Sequence, residues 1–135
     1  MTLGFSRNSI GSTEYSYYLV LVPYADMDLW RQMESTAKNR WVGAYWQSKG
    51  LTVFSSICWG TARSFEFCFD GVEKGSIVAV GMIGSKREKT AFMRGYNAML
   101  ERIEPMAIIV FGTPFSEMQG NIISVDYLES RKVVR

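Results

Sequence analysis

Short apolar runs rich in β-branched residues alternate along this chain with longer segments in which apolar residues return every three or four positions, and that alternation limits the architectures open to it. Residues 15–24 (YSYYLVLVPY), 51–59 (LTVFSSICW), 76–83 (SIVAVGMI) and 106–111 (MAIIVF) read as strands. The second is nearly continuous in apolar and small residues, as strands covered on both faces are. Residues 121–127 make a fifth candidate after an irregular loop. Residues 62–69 satisfy two periods at once: Phe65, Phe67 and Phe69 alternate as in a strand, whereas Phe65, Cys68 and Phe69 share a helical face.

Two segments carry helical periodicity. In residues 27–49, Leu29 or Trp30, Met33, Ala37, Trp41 and Tyr45 form one stripe, with Asp26 or Asp28 as cap and Gly50 as stop. Farther on, Ser85 and Glu88 match an S-x-x-E capping box, and Phe92, Tyr96, Met99 or Leu100, and Ile103 trace an apolar stripe that Pro105 ends. Strands alternating with helices build βαβ units, whose strands run parallel with right-handed crossovers. The expected fold is α/β: a short, mostly parallel sheet of four or five strands with flanking helices, arranged as three layers or a half-barrel. A length of 135 residues suits one domain spanning 1–135, with residues 1–13 expected as a mobile tail. A complete eightfold barrel would take about 250 residues.

The chain has no histidine, which removes the commonest general base, the commonest zinc ligand and every histidine-based triad. Neither G-x-x-x-x-G-K-[ST] nor G-x-G-x-x-G occurs, and no paired carboxylates stand out, so no catalytic residue, cofactor or metal is expected. A formal charge of +2 is too small for an electrostatic footprint on nucleic acid, leaving only local clusters to consider. Cys58 and Cys68 lie in apolar surroundings and read as buried thiols. The start lacks the basic stretch and apolar run of a secretory peptide, and no segment reaches the length of a membrane span, which reads as a cytoplasmic chain.

Two groups of residues are candidates for binding. Residues 39–47 (NRWVGAYWQ) crowd Asn39, Arg40, Trp41, Tyr45, Trp46 and Gln47 into two helical turns, with aromatics projecting on more than one side. Such a patch can anchor a protein partner or stack bases beside an arginine, although the same tryptophans could equally pack in a core. The other group is a crevice beyond the carboxyl ends of the strands, where Trp59, Asp70, Ser85, Lys86 and Thr113 would converge. A capped helix with solvated Lys86, Arg87 and Lys89, and an Asp-Gly turn at Asp70, explain those residues without a ligand.

Taken together, Asn39-Arg40-Trp41, Gly43-Ala44-Tyr45-Trp46-Gln47, Phe67-Cys68-Phe69-Asp70-Gly71, Lys74-Gly75-Ser76 and Glu101-Arg102-Ile103-Glu104-Pro105 resemble the Domain of Unknown Function 4417 family over roughly residues 26–112. The resemblance implies a phage or mobile-element setting and an α/β fold. Members of that family are usually longer at the N-terminus than this chain. The expected function is that of a non-catalytic binding protein acting on a host or phage protein, for example a counter-defence inhibitor docking on a host nuclease, or on nucleic acid. The alternative is a small α/β enzyme or nucleotide-binding protein using the crevice. No membrane partner is expected, and exposed tryptophans on the first helix would allow a homodimer.

Overall fold

The computed structural model describes residues 2–7, 15–20, 28–82 and 85–126. Strands β1 (Thr2–Arg7), β2 (Tyr15–Val20), β3 (Thr52–Ser56), β4 (Ile77–Gly81), β5 (Ala107–Phe111) and β6 (Ile122–Val125) form one sheet whose spatial order is the order of the sequence. Helices α1 (Leu29–Ser48) and α2 (Lys89–Ile103) connect β2 to β3 and β4 to β5. Every pairing from β2 to β6 is parallel, so the expected parallel α/β sheet is present.

The expected tail is corrected over part of its length. Thr2–Arg7 pairs antiparallel with β2, from Thr2 opposite Val20 to Arg7 opposite Tyr15. That pairing satisfies backbone groups that β2 would otherwise present along a bare edge. The remainder of residues 1–13 lies outside the described residues, as do the ends of the expected first and fifth strands, 21–24 and 127.

Because each strand is added beside its predecessor, crossovers of one hand place their connections on one face of the sheet. In keeping with this, the 3-10 helix at Ala62–Glu66 packs against both α1 and α2. The ambiguous segment 62–69 is neither strand nor α-helix: after the 3-10 turn it runs through further turns to Gly71, whose φ of 75° suits the Asp-Gly turn read from the sequence.

The core lies between the sheet and α2. Val78 and Ile108 are register partners, as are Val80 and Val110, so the four project from one face. They join Ile57, Cys68 and Phe69 and the α2 residues Tyr96, Met99 and Ile103 in one buried cluster. The stripe read from the sequence is therefore the buried face of α2. Its start differs from the capping box, because Ser85–Glu88 is a 3-10 turn and the α-helix begins at Lys89 without a side-chain cap. The Ser85 hydroxyl donates instead to the carbonyl of Met82 at 2.6 Å, which spends it upstream of the helix. Helix α2 ends with Glu104 at a φ of 47°, its N–H bonded to the Leu100 carbonyl just ahead of Pro105.

Candidate binding surface

Helix α1 turns its apolar stripe away from the protein. Gln32 and Thr36 are its buried residues, and Asn39, Arg40, Gly43 and Trp46 are half-buried beside them. By contrast Trp30 is 60% exposed, Met33 50%, Trp41 71% and Tyr45 50%. At about 100° per residue, the two sets lie roughly half a turn apart on the helix. A stripe that ordinarily marks the core side here marks the solvent side.

The inward side is polar because the chain leaving β3 needs donors. Arg40 Nε donates to the Asp70 carbonyl at 2.8 Å, one Nη to the Ser56 carbonyl at 3.2 Å and to Asn39 Oδ1 at 2.6 Å, and the other Nη to the Cys68 carbonyl at 2.9 Å. Asn39 Nδ2 completes the set by donating to Ser56 Oγ at 3.1 Å. The Ser56 carbonyl closes β3 and those of Cys68 and Asp70 lie in the turns after the 3-10 helix, and a carbonyl left unpaired where water is excluded is costly. A Cβ at Gly43 would make ordinary contact with Val53 at 3.6 Å, and one at Gly71 with the Arg40 stem at 3.4 Å.

Between these groups Ser35, Thr36, Asn39, Arg40, Ser56, Cys58 and Cys68 line a small depression with about 10 Å³ open to a water's centre. That is room for about one water molecule rather than a substrate. Neither Cys58 nor Cys68 is in a disulfide. Burial pushes Cys58 up to about 11 and Cys68 up to about 12, outweighing the opposing pull of the Arg40 guanidinium on each. They are protonated at neutral pH and poor nucleophiles.

The outer face has its own order. The Trp41 and Tyr45 rings lie nearly parallel, 10° apart with centroids at 6.0 Å. Lys49 Nζ sits 5.4 Å from the Tyr45 centroid, and the Arg31 guanidinium 5.3 Å from that of Trp30. Lys38 pairs with Glu34 at 3.0 Å. The six residues expected as one patch are thus divided. Trp41, Tyr45 and Gln47 are exposed, Trp46 is half-buried, and Asn39 and Arg40 are turned inward onto carbonyls. Trp30, Met33, Arg31 and Lys49 extend the outer face beyond that patch, and the i, i+3, i+4 stripe read from the sequence included the first two.

Of the residues expected to line a crevice, Trp59, Asp70 and Ser85 are engaged in local contacts. Trp59 is seated on α2, where a Cβ at Gly95 would fall 2.1 Å from its indole Cδ1 and Nε1, and it packs against Phe92 and Phe69 at centroid distances of 5.2 and 6.4 Å. Asp70 is exposed in its turn, and its backbone carbonyl serves Arg40. Ser85 is buried and bonded to Met82, Lys86 belongs to the turn Ser85–Glu88, and Thr113 is exposed past β5. Packing and turn formation account for Trp59, Asp70 and Ser85.

A family model described as Domain of unknown function (DUF4417) matches residues 16–128, extending past both ends of the resemblance read from the sequence motifs. The chain belongs to this family. The Gene 1 protein of Mycobacterium phage D29 is 38% identical over 96 residues, covering 64% of this chain and 36% of its own length. The Gene 1 protein of Mycobacterium phage L5 is likewise 38% identical over 96 residues, covering 64% of this chain and 42% of the relative. The matched part is therefore well under half of either phage protein. No solved structure gives a significant match. Among the described residues no helix is long and apolar enough to cross a membrane.

Proposed function

We propose that this member of a phage family is a non-catalytic binding protein that works in the host cytoplasm and engages a host or phage protein through the outer face of α1. The observation that carries this reading is the outward stripe of Trp30, Met33, Trp41 and Tyr45 on a helix whose buried side is polar. From their exposures these side chains present on the order of 500 Å² of apolar surface, the size at which an exposed patch marks an interaction site. Tryptophan, tyrosine and arginine are the residues that most often dominate binding energy, and all three occur here. A counter-defence inhibitor docking on a host enzyme is one specific form of this function.

A second reading, single-stranded nucleic acid, draws support from the parallel Trp41 and Tyr45 rings with Lys49 beside them, an arrangement suited to base stacking. Affinity recovery from host lysate, with and without nuclease, tests both readings on the wild-type chain and on a Trp41→Ala/Tyr45→Ala variant. The protein-binding reading expects a nuclease-resistant partner that the variant loses. Recovery that nuclease abolishes would transfer the function to nucleic acid, and a partner held equally by the variant would remove α1 from it.

A further inference from the structure

We infer that the outer face of α1 receives an amphipathic helix of a protein partner whose apolar residues are bordered along one edge by carboxylates. This rests on the reading of that face as the working surface. From Trp30 to Tyr45 the stripe is about 22 Å long, matching some fifteen residues of a facing helix. Its large side chains flank Ala37, which is exposed near the midpoint, and a small residue there lets a second helix cross closely.

Charge selects the partner. At about 100° per residue, Arg31, Glu34, Lys38 and Lys49 all lie on one side of the stripe. The other side presents exposed Ala44 and Gln47, while the Arg40 guanidinium bends inward to the carbonyls. The one carboxylate among these flanking charges, Glu34, is already engaged by Lys38. The edge is thus cationic, and complementary charge on the partner means Asp or Glu at one border of its apolar face. A second copy fits less well: an antiparallel copy centred on Ala37 would set this cationic edge against its own equivalent. Nucleic acid also fits less well, because Met33 and Ala37 offer no ring for a base and the whole chain carries only +2.

The test titrates the full chain with three fluorescent probes: a helical peptide of about 18 residues with a Leu/Trp stripe and a Glu edge, the same peptide with a Lys edge, and oligothymidylate. The Glu-edged peptide is expected to bind on the order of tenfold more tightly than the Lys-edged one, with the difference fading at high salt. In an Arg31→Glu/Lys38→Glu/Lys49→Glu variant, shown by circular dichroism to remain folded, the preference should reverse, whereas Trp41→Ala should weaken both peptides. No preference for the Glu edge, no reversal, tighter oligothymidylate binding, or a dimer by light scattering that Trp41→Ala dissociates would each overturn the inference. If the peptides fail while Trp41→Ala/Tyr45→Ala still loses a lysate partner, this inference falls alone; if the lysate result is also unaffected, the working-surface reading falls with it.

Discussion

Replacing Gly95 by alanine tests the seat of Trp59 on α2. A methyl there would lie 2.1 Å from two indole atoms and 2.5 Å from a third, against roughly 3.4 Å for ordinary contact, so the ring must retreat by more than about 1 Å. It has little freedom to do so, being held by Phe92 and Phe69. Overpacking costs about 1–3 kcal/mol, and an overlap this deep against a held ring belongs to the upper part of that range, about 2–3 kcal/mol, while exchanging glycine for alanine inside a helix returns about 1 kcal/mol. The expected net loss is about 1–2 kcal/mol, a fall of roughly 4–8 °C in Tm, read by urea and thermal denaturation. In a Trp59→Leu background the clash disappears, and Gly95→Ala should stabilise by about 0.5–1 kcal/mol. A double-mutant cycle would then show a coupling of about 2–3 kcal/mol. A Gly95→Ala protein as stable as the parent, or the same effect in both backgrounds, would refute the packing argument and return Trp59 to the candidates for an open crevice.

Arg40→Met should cost about 2–4 kcal/mol in urea denaturation, because it strands the Ser56 and Cys68 carbonyls, and Arg40→Lys should recover only part since a single ammonium cannot span three directions. Trp41→Ala and Tyr45→Ala should each change stability by less than about 0.5 kcal/mol, since both rings stand largely in solvent; a loss above about 2 kcal/mol in either would show that the face is buried in solution. Burial raises both thiols above their ordinary value of 9.0, to about 11 and about 12, so folding favours the protonated form. Above pH 9 the unfolded chain releases these protons while the folded one keeps them. Their contribution is therefore complete below pH 9 and declines as the pH rises toward 11 and 12; a Cys58→Ser/Cys68→Ser variant should lose stability less steeply over that range. The same protonation predicts slow alkylation of both thiols in the native protein at pH 8 and fast alkylation in urea, as followed by mass spectrometry.

Helix α1 shows how much of the candidate surface was legible in the sequence. The stripe of Trp30, Met33, Ala37, Trp41 and Tyr45 is plain in the sequence, and so is the aromatic density of residues 39–47. Which way the stripe points was not. Apolar periodicity names a face of a helix, and burying that face is ordinarily the larger gain. Here the neighbouring backbone decides otherwise: the carbonyls of Ser56, Cys68 and Asp70 come together only after β3 and the following turns have folded, and Arg40 reaches all three from one position on α1. Similarly, Ser85 and Glu88 have capping-box spacing, but Met82 offers the serine an acceptor that spacing alone does not reveal.

The sequence by itself determined the elements whose signal is local: the runs that became β3, β4 and β5, the stripe that became the buried face of α2, the Asp70-Gly71 turn, and through their alternation the parallel α/β class. The tertiary structure alone decided the pairing of Thr2–Arg7 with β2, the 3-10 path of Ala62–Glu66, the seating of Trp59 against Gly95, and the outward turn of the α1 aromatics. The physical reason is common to all four. Each depends on hydrogen-bond partners or packing surfaces supplied by residues distant in sequence, and helix α1 takes the orientation that satisfies those distant carbonyls, leaving Trp30 and Trp41 exposed to solvent.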